Sequence, residues 1–237
     1  MPVVDPHDRE LTISCGAAIA NLEIAAAHFG FRSTVTPIPG VTNPDLLALV
    51  RLENATHAPP PPKLFEAITQ RRTTRSAYAP DVVPTGCMNA CQHHAQAFET
   101  SLDMFEDEAA RRALAHLVDT GDRHQFEDPA FRRELAAWVR STRLGSRDGM
   151  SGTGFGMPDI LAPIARLTIR SFDIGAGVAA ADVQKITEGS ATLAILSSHS
   201  DSQESWVQTG RALGHILLEL TAGGFTASFL NQPIEVT

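Results

Sequence analysis

The chain has 237 residues, 43% of them hydrophobic and 19% charged, a globular composition with enough length to bury a core. Twenty-seven acidic against 19 basic side chains leave a formal charge of -8, which argues against general binding to nucleic acid or to an anionic membrane. No apolar run reads as a membrane span and the opening MPVVDPHDRE has no signal-peptide pattern, so the expectation is a soluble, cytoplasmic chain.

In chain order, the first element is DPHDRELTISCGAAIANLEIAAAHFGF, a predicted helix with Asp5 as N-cap, Pro6 at its first position and Gly30 as its stop. Between Leu11 and Phe29 its one charge is Glu23, so it is expected in a core or a large interface. FRSTVTPIP (31–39) and LLALVRLE (46–53) read as strands, and HAPPPPK (57–63) reads as a semi-rigid linker.

FEAITQRRTTRSAY (65–78) follows, with Arg71, Arg72 and Arg75 set among Thr73 and Thr74 behind a short amphipathic helix. In an acidic chain this cluster opposes the overall sign of charge. One reading is that the arginines complement the negative end of the helix, worth a few tenths to about 1 kcal/mol. The other is that guanidinium forks interleaved with hydroxyls hold a phosphate through bidentate, charge-assisted hydrogen bonds. The glycines and lysine of a triphosphate-binding loop are missing, which favours the monophosphate tail of a cofactor.

Three cysteines do not make a disulfide scaffold, and CMNACQHH (87–94) lacks a familiar zinc spacing, so Cys87 and Cys91 are expected to pack rather than ligate. Helices are expected near 86–100, 106–120 and 129–142. The glycine-rich run Arg143–Pro158 is expected to be a mobile loop or a lid; its GTGFG lacks dinucleotide spacing. ATLAILSS (191–198) reads as a buried strand. An apolar helix, ESWVQTGRALGHILLELTAGG, and a strand, FTASFLNQPIE, close the chain. No catalytic triad stands out. Ser14, Cys15, His93 and His94 read as structural, the two histidines having no obvious partner.

The ending repeats the beginning. GAAIANLEIAAAHFGFRSTVTPIP laid over GRALGHILLELTAGGFTASFLNQP matches Gly16 with Gly210, Ala18 with Ala212, Gly30 with Gly224, Phe31 with Phe225 and Pro39 with Pro233, without a gap. Two related halves with their apolar helices packed across a pseudo-two-fold axis would explain this. Two independent core helices with ordinary glycine stops remain the alternative.

ITQRRTTRSAY resembles the Arg-Arg-Ser-x-Arg-x-Phe motif of the nitroreductase superfamily, whose side chains bind the phosphate of FMN. Arg71, Arg72 and Arg75 match the basic positions, Thr73 the hydroxyl position, and Tyr78 lies near the aromatic one. The two apolar helices resemble the tandem-repeat, Acg-like branch of that superfamily. Pro233, Ile234 and Glu235 match a Pro-Ile-Glu turn that contacts the isoalloxazine ring in flavin-binding relatives.

The resemblance implies an α+β, nitroreductase-like fold: two pseudo-repeated halves around buried central helices, with a mixed or antiparallel sheet. Residues 1–57 would be a partial first half and 58–237 the second. It implies an FMN-dependent oxidoreductase taking hydride from NAD(P)H and acting on a small-molecule acceptor, nitroaromatic or quinone-like. The other reading is a flavin-sequestering or flavin-free pseudo-enzyme. The assembly implied is an internal pseudo-dimer, compatible with a further homodimer. Against that branch the chain looks short at both ends. It lacks a preceding segment with a Ser-Pro-x-Asn-x-Gln-Pro-Trp-like motif and a strand after the Pro-Ile-Glu turn.

Overall fold

A computed structural model describes residues 1–37, 43, 45–56, 62–74, 78–79, 81–140, 149–151 and 161–236. Helix α1 runs from Arg9 to His28. It starts later than Asp5–Pro6 implied, because residues 5–8 form a turn in which Asp8 takes a positive φ of 54°. Asp5 still caps the helix, since its carboxylate accepts the Leu11 N–H at 2.9 Å. Gly30 ends it with φ +81°, where a Cβ would be strained.

α8 (Gln203–Ala222) is the other long apolar helix, capped by the Ser202 hydroxyl on the Ser205 N–H and followed by Gly224 at φ +84°. The two helices lie directly against each other. A Cβ on Gly16 would stand 2.9 Å from Gly210 Cα, and one on Gly210 would stand 2.8 Å from Gly16 Cα. The contact is reciprocal: Gly16 abuts the Val207 carbonyl and Gly210 the Ile13 carbonyl. Further along, Gly214 rests on Ala17 and Ala20. The one charge between Leu11 and Phe29 is explained here, because Glu23 takes a two-pronged ion pair from Arg211 of α8 (2.6 and 2.9 Å).

α1 is less buried than its composition suggested. The stripe Gly16, Ala20 and Ile24 is covered, while Leu11, Ser14 and Leu22 face outward. With a mean hydropathy of 1.2, α1 is also long and apolar enough to cross a membrane by length and composition, which corrects the reading that no segment is. In this fold it packs along α8.

Around this pair, α2 (Lys63–Gln70) seats Ala67 on Ile24 and Leu218, and α3 (Thr85–Ala97) seats Cys91 and Ala95 on Ala212 and Ile216. Cys91 is fully buried, and burial pushes its thiol up to about 12, in keeping with a packing role. β1 (Phe31–Pro37) and β2 (Ala48–Asn54) pair antiparallel from Phe31↔Asn54 to Pro37↔Ala48, so the first two predicted strands form a hairpin. β3 (Thr100–Phe105) pairs antiparallel with β6 (Leu193–Ser198). β3 was not foreseen, and β6 is an exposed strand rather than a buried one, with Ile195 40% exposed.

A second group of helices packs α4 (Glu108–Glu127) on α7 (Gly175–Thr187) through Ala115, Val118 and Ile186. It packs α5 (Pro129–Trp138) against α6 (Ala162–Ser171) through Phe131, Ala136 and Ile169. Two-residue strands β4 (Val139–Arg140) and β5 (Met150–Ser151) run parallel. The loop expected at Arg143–Pro158 lies outside the described residues apart from 149–151, as does the linker at 57–61; Lys63 already belongs to α2.

The closing segment departs from its predicted strand. Among the described residues it forms only an isolated bridge, at Ala227, and leads into a short helix, α9 (Gln232–Glu235). Pro233 sits in the first turn of α9, where its missing N–H costs nothing. The elements are thus those of an α+β chain: helices plus small, mainly antiparallel sheets.

Candidate functional site

The arginine segment begins where α2 ends. The Arg71 N–H still bonds the Ala67 carbonyl (2.9 Å), and then the backbone extends. Arg71, Arg72 and Thr73 are all exposed. Among the described residues neither guanidinium has a hydrogen-bond or ion-pair partner. The backbone beneath them is fixed. Thr73 bridges Ala227 in parallel, the Thr74 N–H reaches the Ala227 carbonyl (3.3 Å), the Tyr78 hydroxyl donates to the Thr74 carbonyl (2.6 Å), and the Tyr78 N–H donates to the Gly189 carbonyl (2.8 Å). Arg75 lies outside the described residues.

The bridge places the cluster alongside the segment that leads from α8 into α9. Pro233, Ile234 and Glu235 all lie on α9. Ile234 is 49% exposed, so an apolar side chain is presented at the turn. Its carbonyl accepts from the Arg9 guanidinium (2.7 Å), and Glu235 accepts from the Gln125 amide of α4. Among the described residues, Arg71 and Arg72 present two unpaired guanidinium forks and Thr73 a hydroxyl on a braced backbone, donors of the kind phosphate oxygens accept.

A polar network that the sequence reading missed holds α9. Asn231 donates to Glu10 (2.9 Å), and Gln232 Nε2 donates to both Asp122 of α4 (3.1 Å) and Asp182 of α7 (3.0 Å). Gly121 makes room, since a Cβ there would come within 2.9 Å of the Gln232 backbone. Burial, with Glu10 next to it, pushes Glu235 up to about 7; burial, with Asp182 next to it, pushes Asp122 up to about 6. Glu10 is also raised, chiefly by burial. The available signal was the spacing of Asp122 and Gln125, which fall on the same face of α4 as Val118 and Phe126.

The residues read as structural keep that character. Ser14 is exposed and bonds its own helix at the Leu11 carbonyl. His94 does have a partner, Glu219 of α8, at 3.6 Å. A cavity of about 350 Å³ opens between α1, α2, α3 and α8, walled by His28, Phe65, His94, Phe98 and His215 and lacking the arginine cluster. His215 is held neutral there, its value pushed down to about 4 by burial.

No protein-family model matches the chain. It is similar to a Mycobacterium tuberculosis (strain H37Rv) protein named "Putative NAD(P)H nitroreductase Rv3131", with 29% identity over 239 residues. That match covers 98% of this chain and 65% of the relative, so the chain spans just under two thirds of that protein's length. The counterpart from strain CDC 1551 / Oshkosh matches to the same extent. A second H37Rv protein, "Uncharacterized protein Rv3127", is 27% identical over 241 residues, covering 99% of this chain and 67% of its own.

Proposed function

We propose that this chain is an FMN-dependent oxidoreductase of nitroreductase type that uses NAD(P)H and acts on nitroaromatic or quinone-like acceptors. The observation that carries the reading is the pair of guanidiniums, Arg71 and Arg72, unpaired among the described residues and set on a backbone braced by the Thr73–Ala227 bridge beside the segment leading into α9. The name of the 29% identical relative supports the same class. In this reading Arg71, Arg72, Thr73 and Arg75 hold the phosphate, while Pro233, Ile234 and Glu235 contact the ring. FMN held there would supply the redox chemistry, hydride transfer between NAD(P)H and the acceptor. The protein's part is to orient the ring and shield it, which is why no acid–base triad is needed.

The reading extends to two nitroreductase-like halves, 1–57 and 58–237, forming an internal pseudo-dimer. Its support is the reciprocity of the helix contact. Val207 is the repeat counterpart of Ile13 and Gly210 of Gly16, so each glycine meets the same carbonyl position on the opposite helix. That is the pattern of a two-fold contact.

Each charge-assisted bond to a phosphate contributes roughly 1.5–3 kcal/mol. Flavin titration should therefore show Arg72→Ala and Arg75→Ala each weakening FMN about ten-fold or more. The lysine variants should recover only part of the loss, because the fork is gone. Equal affinities in wild type and variants would leave these arginines as solvated helix-end charges and sink the site.

A further inference from the structure

α9 is docked by two carboxyl pairs drawn from four elements. The first sets Glu10 of α1 next to Glu235 of α9, near enough for each carboxyl to influence the other. Gln125 donates to Glu235 and Asn231 to Glu10. Asp5 adds a further negative charge, and Arg9, next to Glu10 in the chain, opposes it. The second pair joins Asp122 of α4 to Asp182 of α7, which share the single Nε2 of Gln232. Lys185 pairs with Asp182 (2.6 Å), and Asp119 faces Asp122 from its own helix.

The second pair carries an independent mark. Asp122 Oδ2 and Gln232 Oε1 are both buried and have no hydrogen-bond partner, although Gln232 Nε2 bonds the other oxygen of that aspartate. Two buried acceptors on one hydrogen-bonded pair of side chains both lack a hydrogen. A proton on Asp122 Oδ2 turns one of them into a donor. In the same way a proton lets Glu10 and Glu235 bond instead of repel.

We propose that α9 is a proton-dependent latch: it stays docked while each carboxyl pair keeps one proton, and it is released when both pairs are fully ionised. Because the folded values lie above the ordinary carboxyl values, the latch is strongest below pH 4 to 5. It weakens as pH rises through about 6 for the Asp122 pair and about 7 for the Glu235 pair. The latch does not depend on flavin, so it stands or falls separately from the proposed activity.

Amide hydrogen exchange on the flavin-free chain tests it. The reporters are the Ile234 and Glu235 N–H groups, both bonded to the Asn231 carbonyl. After correction for base-catalysed exchange, their protection should fall about ten-fold or more between pH 5.5 and 8.5 relative to amides in the middle of α8. Asp122→Asn, whose amide would donate where the acid proton does, and Glu10→Gln should each reduce that fall. Protection that does not change with pH, or that falls equally in α8 and α9, overturns the latch. So does an unchanged fall in both variants.

Discussion

Gly210→Val is expected to destabilise the protein by roughly 3 kcal/mol or more. The position is buried in the middle of α8, and the first added carbon would already stand 2.8 Å from both Gly16 Cα and the Ile13 carbonyl carbon. Those are backbone atoms, and no side-chain rotation relieves the clash. The helices must move apart, which opens space around Ala20 and Ala212, both fully buried. Gly177→Ala is the matched control. It sits in α7 with nothing within 4 Å of the added carbon, and it should stabilise by about 0.5–1 kcal/mol through a less flexible unfolded chain. Urea denaturation of the two variants reads both signs. A tolerated Gly210→Val would mean the two helices are not held at this distance.

Glu23→Gln should cost about 2–4 kcal/mol, more than a surface charge would. The Glu23 and Arg211 side chains are only 14% and 13% exposed, and Arg211 also bonds Gln208 (2.8 Å) and lies 4.6 Å from the centre of the Phe98 ring. Neutralising Glu23 therefore strands a guanidinium in a poorly hydrated site between α1 and α8. Removing both charges, as Glu23→Leu with Arg211→Met, should recover most of the loss, because the pair's attraction and its desolvation largely offset. Thermal melts of single and double variants form the cycle. A single variant as stable as wild type would show that the pair is solvated in practice.

The parts of the fold legible in the sequence are those with strong local signals. α1 and α8 announce themselves by long apolar runs that end in glycine, and Gly30 and Gly224 both take the positive φ their position demands. β1 and β2 are rich in β-branched and apolar residues. β3 escaped notice because it follows Glu99 at φ +57°, a turn with no glycine to mark it, and its partner is the distant segment 193–198. α7 opens with Gly175-Ala176-Gly177, glycines that read as helix breakers, although its buried face of Ala179, Asp182 and Ile186 is regular. The last strand failed because FTASFLNQPIE alternates like β1, yet among the described residues it finds only Thr73 to pair with, through a single bridge at Ala227.

The candidate site divides along the same line. Arg71 and Arg72 could be singled out because they oppose the net charge of the chain within two adjacent positions. Glu10, Asp122 and Asp182 could not, since isolated acids in an acidic chain read as surface residues. Only folding brings Gln232 between two of them and Asn231 onto a third.

If this chain binds FMN and uses it, the flavin stays with the protein and is reduced by a nicotinamide nucleotide. Saturating the purified protein with FMN, removing free flavin by gel filtration, and recording the visible spectrum before and after anaerobic addition of NADPH or NADH tests it most directly. The expected result is a yellow protein whose flavin bands stay with the protein peak and are bleached by one or both nucleotides. A protein that emerges colourless, or whose retained flavin neither nucleotide reduces, would contradict it.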